Sequence, residues 1–337
     1  MDLRKRVVMA DVARLAGVSS QTVSRALSGK GPVKEETMER IQKAIEELNY
    51  RPDRAAQVLA SGQSQSTGVL LLGRLSYGRA LAFAALERCE RRSGRFLTVA
   101  SADPDNRSEI QESLNYLHDC KVRALVVIGQ RPQPLDLLAS NSAVPTVVTV
   151  SELPAHLEVG HVCIDQRAGM EAVLRHLSQL QVKQAIHLSP RGLDSDAHLR
   201  RRYLQELAPA YGINVEVVDT QDWSSVDGYE AALGIGLRFD ALISANDNLA
   251  LGAAAALAHK FQLVPGRDYA LTGFDDIETA AYACPPLTTV RQDFTLVAQA
   301  VVQAIDTYLE SHTWRRQAIV PQLVVRESTA RYRGEQA

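Results

Sequence analysis

The sequence predicts an all-α helix-turn-helix head followed by a larger α/β core of two lobes, each built on a parallel sheet. The chain has 337 residues, 46% of them apolar, and this length exceeds what one hydrophobic core usually organises. Residues 9–48 show helical periodicity, whereas short apolar runs alternate with helix-length segments from residue 66 onward. Positive charge is concentrated in residues 1–65, which hold 11 Lys/Arg against 8 Asp/Glu, while the rest holds 26 against 31.

The helix-turn-helix is predicted from the segment MADVARLAGVSSQTVSRAL, which begins at Met9. Gly17 interrupts the helical pattern, and Ser19 is placed to cap a second helix. The apolar positions expected to face inward are Val12, Leu15 and Ala16 in the first helix and Val23, Ala26 and Leu27 in the second. Small residues near the crossing, Ala13 and Ala16, allow the two helices to pack closely.

The second helix also carries polar residues suited to DNA contacts. Gln21 can pair with adenine and Arg25 with guanine, each through two hydrogen bonds. Ser20, at the start of the helix, can meet a phosphate or a base. Lys30 and Lys34 can add phosphate contacts that do not depend on base sequence. An ordinary solvated helix face remains the alternative on spacing alone.

A third helix is predicted over residues 35–48, EETMERIQKAIEEL, with its N-cap near Lys34 and glutamates in its first turn. Its apolar positions, Met38, Ile41, Ile45 and Leu48, are expected to close a three-helix core. Residues 1–50 are therefore predicted to form a complete head domain.

The segment MADVARLAGVSSQTVSRALSGKGPVKEETMERIQKAIEELNYRPDRAAQVLASGQS resembles the DNA-binding head of the LacI family of bacterial transcription repressors. The resemblance implies that Thr22 joins the polar residues of the second helix at the DNA. It also implies a hinge helix within residues 51–65 that folds on DNA and inserts Leu59 into the minor groove as a wedge. Arg54, Ala56 and Gln57 would lie along the same face of this helix. An ordinary interdomain helix is the alternative for this segment.

The alternation beyond residue 66 predicts two α/β lobes in tandem. Strand-like and helix-like runs follow one another as TGVLLLG, ALAFAALERCERR, RFLTVAS, EIQESLNYLHDC and ALVVIG. The alternation repeats in QAIHLSP, HLRRRYLQELAPAYG, NVEVVDT, ALISAND, LALGAAAALAHKF and YALTGFDD. In such folds ligands bind beyond the carboxyl ends of the strands, so the polar residues that follow a strand are site candidates.

Three strand ends carry such residues. They are Asn246 and Asp247 after ALISA, Asp275 and Asp276 after YALTGF, and Asp222 and Trp223 after NVEVV. Asn246 or Asp247 could instead cap the helix that follows. Neighbours on an extended segment point to opposite sides, so at most one of Asp275 and Asp276 is expected to face a ligand. For the same reason the pair does not suit two catalytic carboxylates that flank one glycosidic bond.

The core resembles the periplasmic-binding-protein-like core of the LacI family, notably in DWSSVDGY, ANDNLALGA and GFDDIETAAYACPPLTTVRQDF. The resemblance implies an N-terminal lobe of residues 66–164 and 294–324, a C-terminal lobe of residues 165–293 and 325–331, and a tail of residues 332–337. The implied effector pocket comprises Asp165, Arg200, Trp223, Asn246, Asp275, Gln292 and Phe294, with the register of the arginine open among residues 200–202. Arg74, Tyr77 and Arg79 are expected near the pocket mouth, where arginines could read an anionic ligand or simply be solvated.

The resemblance implies a ligand-responsive transcription repressor that binds a palindromic operator in double-stranded DNA as a homodimer. The dimer interface is expected near residues 80–91 and 109–120. The implied inducer is a small sugar, a galactoside or related saccharide of a carbohydrate-utilisation operon, although a corepressor would reverse the sign of the response. A solute-binding protein and a two-lobed sugar-processing enzyme are the rival classes. The enzyme class is disfavoured because G-x-x-x-x-G-K-[ST] is absent from the sequence and no complete G-x-G-x-x-G follows a strand.

Neither a cofactor nor a metal is expected, and the chain is expected to be cytoplasmic. The four cysteines, Cys89, Cys120, Cys163 and Cys284, are widely spaced and form no CxxC pair, which indicates reduced core residues. The first residues lack the apolar core of a secretory signal, and no window approaches the roughly 20 apolar residues of a membrane span.

Overall fold

A computed structural model describes residues 7–28, 32–50, 66–73, 75–129, 136–139, 144–149, 153, 157–191, 195–236 and 238–330. The chain forms two compact units, Met1–Ser64 and Gln65–Ala337. The first unit contains the helices of the predicted head, and the second contains all of the described β-strands.

The described residues of the head form three helices, α1 (Met9–Ala16), α2 (Ser20–Ser28) and α3 (Glu35–Glu47). Gly17 ends α1 in the left-handed conformation, at a φ of 66°, which glycine adopts without steric cost. The Ser19 hydroxyl accepts a hydrogen bond from the Thr22 amide at 3.1 Å, so the predicted cap of α2 is confirmed. The buried core of the three helices consists of Val12, Ala13, Ala16, Val23, Ile41, Ala44 and Tyr50.

Two residues that we predicted to line this core are instead largely exposed: Leu15 at 47% and Met38 at 40%. In α1 the buried residues are Val12, Ala13 and Ala16, which lie within about 100° of arc at 3.6 residues per turn, and Leu15 falls outside that arc. Met38 lies in the first turn of α3, one turn before the first buried position. Alanines therefore close this small core to a greater extent than the apolar pattern predicted.

The core unit contains the following elements in chain order. Its strands are β1 (Ser66–Leu72), β2 (Phe96–Ala102), β3 (Ala124–Ile128), β4 (Thr146–Val148), β5 (Gly160–Ile164), β6 (Gln184–Pro190), β7 (Asn214–Thr220), β8 (Ala241–Ser244), β9 (Ala270–Asp275), β10 (Thr288–Arg291), β11 (Arg316–Ile319) and β12 (Gln322–Val324). Its helices are α4 (Tyr77–Arg92), α5 (Arg107–Asp119), α6 (Asp136–Ala139), α7 (Gln166–Gln179), α8 (Ser195–Leu207), α9 (Ser225–Leu233), α10 (Asp247–Phe261), α11 (Phe294–Ser311) and α12 (Glu327–Ala330). None of the described helices is long and apolar enough to cross a membrane.

The strands form two six-stranded sheets, one in each lobe. The first sheet has the order β11-β5-β4-β3-β1-β2, and all of its pairs are parallel. The second has the order β12-β10-β9-β8-β6-β7, and it is parallel except for the antiparallel pair of β10 with β12. Apolar side chains pack against both faces of each sheet, as expected for a doubly covered parallel sheet. The predicted fold class is confirmed.

The chain crosses between the lobes three times, after β5, after β10 and after β11. The first and third crossings contact each other, because the Asp165 amide donates a hydrogen bond to the Ile319 carbonyl at 2.9 Å. The third crossing occupies residues 320–321, whereas we predicted it between residues 324 and 325. Proline lacks an amide hydrogen and interrupts pairing, so Pro321 divides the run VPQLVVRES, and Gln322–Val324 pairs with the second sheet.

Candidate functional site

The head presents polar residues on the outer face of α2. Ser20, Gln21 and Arg25 are exposed, while Val23 between them is fully buried against the other two helices. Thr22 is half-buried, and its hydroxyl lies 2.9 Å from that of Ser19. The helix thus has one face committed to packing and an opposite face that offers a hydroxyl, an amide and a guanidinium to a partner.

Lys34 occupies the N-cap position of α3 and is exposed, as the sequence predicted. The remaining predicted DNA-contacting residues, Lys30, Arg54, Ala56, Gln57 and Leu59, lie outside the described residues. Their assignments stay predictions.

The core unit contains a cleft of about 870 Å³ between its two lobes. Its walls follow the carboxyl ends of strands in both sheets, including Gly73 after β1, Gly129 after β3 and Asn246 after β8. This is where ligands bind in open parallel sheets. Of the predicted pocket-mouth residues, Tyr77 and Arg79 line the cleft, and Arg74 lies outside the described residues.

The end of β9 places one acidic side chain in the cleft and directs the next one away. Asp275 lines the cleft and accepts a hydrogen bond from the Gln292 amide at 2.6 Å. Asp276 is not among the lining residues and is paired with Arg291 and Arg326 instead. The prediction that at most one of the two faces a ligand site is confirmed.

Both aspartates have positive φ, 116° at Asp275 and 52° at Asp276. Residues with a Cβ seldom adopt such backbone conformations. Each costs on the order of 1–3 kcal/mol and persists only where the surrounding structure enforces it. Here hydrogen bonds and ion pairs hold both carboxylates. Backbone strain of this kind is concentrated at functional sites, which agrees with a role for this dipeptide in the cleft.

Arg200 is the arginine that reaches the cleft, among the three that the sequence left open. It is buried, its guanidinium donates to the Gln166 side-chain oxygen at 2.9 Å, and it lies 4.0 Å from Asp275. Its carbon Cζ lies 3.6 Å from the centroid of the Phe274 ring, which fixes the plane of the group. Arg201 instead pairs with Asp219 at 2.6 Å, and Arg202 donates to the Tyr203 hydroxyl at 3.0 Å.

Asn246 and Trp223 form one wall of the cleft together. The Asn246 side-chain oxygen accepts from the Leu249 amide at 2.9 Å, so this residue caps α10. Its amide nitrogen donates to the Trp223 carbonyl at 3.1 Å, which ties the loop before α9 to the start of α10. Both residues line the cleft, as predicted, but Asn246 acts there partly by holding the tryptophan loop in place.

Phe294 and Gln292 reach the cleft from the second lobe crossing. Phe294 begins α11 and packs against Gly78, where a Cβ would lie 3.0 Å from the ring. Gln292 lies in the crossing itself and is held by its hydrogen bond to Asp275. The second crossing thus contributes one polar and one aromatic side chain to the cleft wall.

Asp165 does not lie where the resemblance implied. Its carboxylate caps α7 by accepting from the Ala168 amide at 2.9 Å, and it is not among the residues that line the cleft. An aspartate at the start of a helix satisfies backbone amides that would otherwise lack partners, and this local demand decides its orientation. The next residue, Gln166, lines the cleft in its place.

Sequence reasoning missed several lining residues, of which Asp196 and Gln166 matter most. Asp196 lies in the first turn of α8, four residues before Arg200, so the two side chains share one face of the helix. That spacing could have identified Asp196 from the sequence. No comparable signal in the sequence indicated Gln166, because its role is to accept a hydrogen bond from the buried Arg200 guanidinium.

Burial and neighbouring charges shift the pKa values of titratable groups in and beside the cleft. The pKa of Asp275 is raised to about 6, chiefly by burial and in part by the neighbouring Asp196, against the opposing effects of Arg200 and the Gln292 hydrogen bond. Burial raises the pKa of Asp247 to about 8, with Asp275 adding to the effect. Burial and then Asp275 raise the pKa of Tyr77. Near neutral pH, Asp275 is therefore ionised and accepts hydrogen bonds in the cleft.

Two family models match the chain. Residues 8–53 match bacterial regulatory proteins of the lacI family, and residues 174–329 match a periplasmic binding protein-like domain. The transcriptional regulator AscG of Escherichia coli K12 is 30% identical over 305 residues, which cover 87% of this chain and 89% of AscG. The chain belongs to the lacI family of bacterial regulatory proteins.

Two further comparisons support this assignment to the lacI family. The lactose operon repressor of Escherichia coli K12 is 27% identical over 344 residues, which cover 96% of this chain and 91% of that one. A crystal structure of the lac repressor dimer bound to operator and the anti-inducer ONPF superposes with a TM-score of 0.86 at 27% identity, covering 96% of this chain and 99% of that one. The expected membership of the LacI family is confirmed.

This lacI-family protein is a ligand-responsive transcription repressor. The similar proteins are transcriptional regulators, which decides against the sugar-processing enzyme and the transport protein that the α/β core alone would have allowed. Among the described residues, no group of three or more His, Cys, Asp or Glu side chains is arranged to hold a metal ion.

Proposed function

We propose that this repressor binds a palindromic operator as a homodimer and releases it when a small saccharide, a galactoside or a related sugar, enters the cleft. The observation that carries the proposal is the arrangement around Asp275. The Asp275 carboxylate accepts from the Gln292 amide and lies 4.0 Å from the Arg200 guanidinium, all three residues line the cleft, and the indole of Trp223 lines it too.

These groups suit a polyhydroxylated ring. Carboxylates and amides accept from and donate to vicinal hydroxyls, while an aromatic face covers the apolar face of a pyranose. The cleft volume falls in the range of about 300–1,000 Å³ that is usual for small-molecule sites, which leaves room for a disaccharide. A galactoside is favoured because the lactose operon repressor is similar over nearly the whole chain.

An anionic sugar is a poorer fit. Among the described residues, Asp103, Glu109, Asp196, Asp222 and Asp275 line the cleft, against Arg79, Arg191 and Arg200. Arg79 is held by the Leu72 carbonyl at 3.0 Å, and Arg191 by Asp219 at 2.7 Å. A phosphate or carboxylate on the ligand would meet more carboxylates than available guanidinium groups, so we favour a neutral saccharide.

For operator binding we propose that Gln21 and Arg25 contact bases directly. The sugar-phosphate backbone of the DNA is contacted by Ser20, Thr22, Lys30 and Lys34. The hinge residues Arg54, Ala56, Gln57 and Leu59 are proposed to act in the minor groove. The exposed outer face of α2 supports the first assignment. A two-fold operator requires two heads, so the proposal includes dimerisation.

The edge of the first lobe supports a dimer interface where we predicted it. Strand β2 ends the first sheet, and Phe96 and Val99 on it are each 39% exposed. The flanking helices add Leu81 from α4 and Tyr116 from α5, both exposed. Exposed apolar side chains on and beside an edge strand are typical of an interface between subunits.

The proposed mechanism is a shift between two populations. Saccharide contacts to both lobes favour a closed cleft, the first lobes move across the dimer interface, and the hinge segments separate and unfold from the DNA. The affinities for operator and for saccharide are then coupled reciprocally. A corepressor would favour the DNA-binding state instead, and the sign of the coupling distinguishes the two.

The test is a fluorescence-anisotropy titration of an operator duplex selected in vitro, at fixed salt, with a panel of monosaccharides and disaccharides. We expect at least one galactoside to weaken operator binding about tenfold or more, within the usual range of coupling. Asp275→Asn should abolish that response while leaving operator affinity unchanged, and Asp268→Asn, on a distant Asp–Arg pair of the same lobe, should behave as wild type. A saccharide that tightens binding would identify a corepressor. Failure to select any duplex would refute the DNA-binding assignment.

A further inference from the structure

The structure assigns Asp276 as a positioning residue that ties the hinge between the lobes to the effector cleft. Its carboxylate clamps Arg291, directly before the second lobe crossing, and Arg326, which follows the first strand after the third crossing, while the preceding residue, Asp275, faces the cleft. This inference rests on the proposed function, because it concerns how a bound saccharide changes operator affinity.

The clamp is a buried carboxylate held on both oxygens. One oxygen of Asp276 accepts from Nε of Arg291 at 2.6 Å, and the other accepts from Nη2 of Arg326 at 2.7 Å. The Asp276 side chain is only 8% exposed, and that of Arg326 is 16% exposed. The Arg291 side chain is 51% exposed, so the pair with Arg326 is the better shielded of the two and is screened less by water and salt.

The two arginines lie at opposite ends of the antiparallel β10–β12 pair. Arg291 is the last residue of β10, directly before the second crossing, and Arg326 follows β12, the first strand after the third crossing. Arg326 is itself fixed beside the start of β10, since it donates to the Leu287 carbonyl at 2.8 Å and its own amide donates to the Thr288 hydroxyl at 2.8 Å. Asp276 therefore holds the second crossing directly through Arg291, and it is tied through Arg326 to the strand that follows the third crossing.

The same short segment also faces the cleft. Asp275 accepts from Gln292, which lies in the second crossing, and approaches Arg200 at 4.0 Å. The following residue is anchored too, because the Ile277 amide donates to the buried Asp247 carboxylate at 2.8 Å. Consecutive positive φ values at Asp275 and Asp276 direct one carboxylate into the cleft and the other into the hinge.

Ligand contacts at Asp275 are thus transmitted to the crossings through a segment with little freedom to move independently. Closing the lobes is a rotation about these crossings. If the clamp is weakened, the saccharide still meets its cleft residues, but lobe closure depends less on occupancy of the cleft. The affinity for saccharide should survive while the coupling to operator falls.

The test uses full-length protein with Asp276→Asn, and Asp268→Asn as the matched control. Asp268 also pairs with an arginine, Arg267, at 2.7 Å in the same lobe, but neither residue lines the cleft or flanks a crossing. Arg291→Gln removes one arm of the clamp and leaves Arg326 in place. Circular dichroism and thermal unfolding establish that each variant is folded.

The first readout is hydrogen exchange, which needs no effector. The amide of Asp165 reports on the first and third crossings through its hydrogen bond to the Ile319 carbonyl, and the amide of Arg326 reports on the segment that the clamp holds after β12. We expect both to exchange at least about tenfold faster in Asp276→Asn than in wild type, with an intermediate increase in Arg291→Gln and none in Asp268→Asn. Wild-type exchange at both amides in Asp276→Asn would overturn the proposal.

The second readout is the coupling between saccharide binding and operator binding, with lactose as the probe. We expect the ratio of operator affinities without and with lactose to fall at least threefold in Asp276→Asn, while the Kd for lactose stays within threefold of wild type. An unchanged ratio, or a loss of lactose affinity as large as the loss of coupling, would overturn the proposal. A wild-type protein that does not respond to lactose would count against the proposed galactoside, and the exchange readout would then decide the clamp alone.

Discussion

Helices α9 and α10 pack so closely that a single methyl group at Gly252 should disrupt them. A Cβ built at Gly252 lies 1.9 Å from the Ser225 carbonyl oxygen, and one built at Gly228 lies 2.3 Å from the Leu249 carbonyl oxygen. Both obstructing atoms belong to the backbone and cannot rotate aside. Gly252→Ala therefore forces the helices apart.

The expected cost lies at the upper end of overpacking, about 3 kcal/mol in the free energy of unfolding. At roughly 2–4 °C per kcal/mol, this lowers the Tm by about 6–12 °C. Function should suffer as well. The Asn246 amide holds the Trp223 carbonyl across the same pair of helices at 3.1 Å, so separating them moves the tryptophan in the cleft wall.

The assay is thermal and urea unfolding of wild type, Gly252→Ala and Gly234→Ala, followed by saccharide titration of the folded proteins. Gly234 ends α9, and the nearest atom to a Cβ there is 3.8 Å away, which is an ordinary van der Waals separation. We expect Gly234→Ala to remain within about 1 kcal/mol of wild type. A Gly252→Ala protein as stable as wild type would show that the close approach of α9 and α10 is not as described.

Four further expectations concern single residues. Because burial raises the pKa of Asp247 to about 8, the folded state binds more protons than the unfolded state, so the free energy of unfolding should fall as pH rises from about 6.5 to 8; Asp247→Asn should flatten this slope in urea titrations. His187 opposes this trend below pH 6.5: burial lowers its pKa to about 4, so the unfolded state takes up the proton first and the His187 contribution to stability falls as pH drops from about 6.5 to 4. Ser19→Ala removes the cap of α2 and should destabilise the isolated head by about 1 kcal/mol in thermal unfolding, whereas equal stability would show the cap to be irrelevant. Arg25→Ala should weaken binding to the selected operator by about 1–3 kcal/mol and relax the preference for one base pair; a uniform loss across all sequences would assign it to a phosphate instead.

The sequence carried enough information for the fold because its periodicities are unambiguous. The helix–glycine–helix pattern around Gly17 and the repeated strand–helix alternation each have one reasonable structural solution. Periodicity could not show which side chains of a short helix face inward in a small core. Ala13 and Ala16 are buried, as expected near the helix crossing, whereas Leu15, which we also expected to face inward, is exposed.

The cleft was partly predictable, because strand ends locate it. Asp275, Asn246 and Trp223 were found by that rule, whereas Asp165 was assigned to the cleft and lies outside it. A carboxylate at a helix start responds to the nearest free amides, and only three-dimensional structure shows whether the cap or the cleft prevails. The role of Asp276 was likewise hidden, because Arg326 follows it by fifty residues.

The most direct test of ligand-controlled operator release is calorimetric titration of lactose into the protein, first free and then saturated with its selected operator at the same salt. We expect lactose to bind the free protein, and operator to weaken this binding by the same factor by which lactose weakens operator binding. Equal lactose affinity in the two titrations would contradict the proposed release, because a saccharide that does not distinguish the DNA-bound state cannot release the operator.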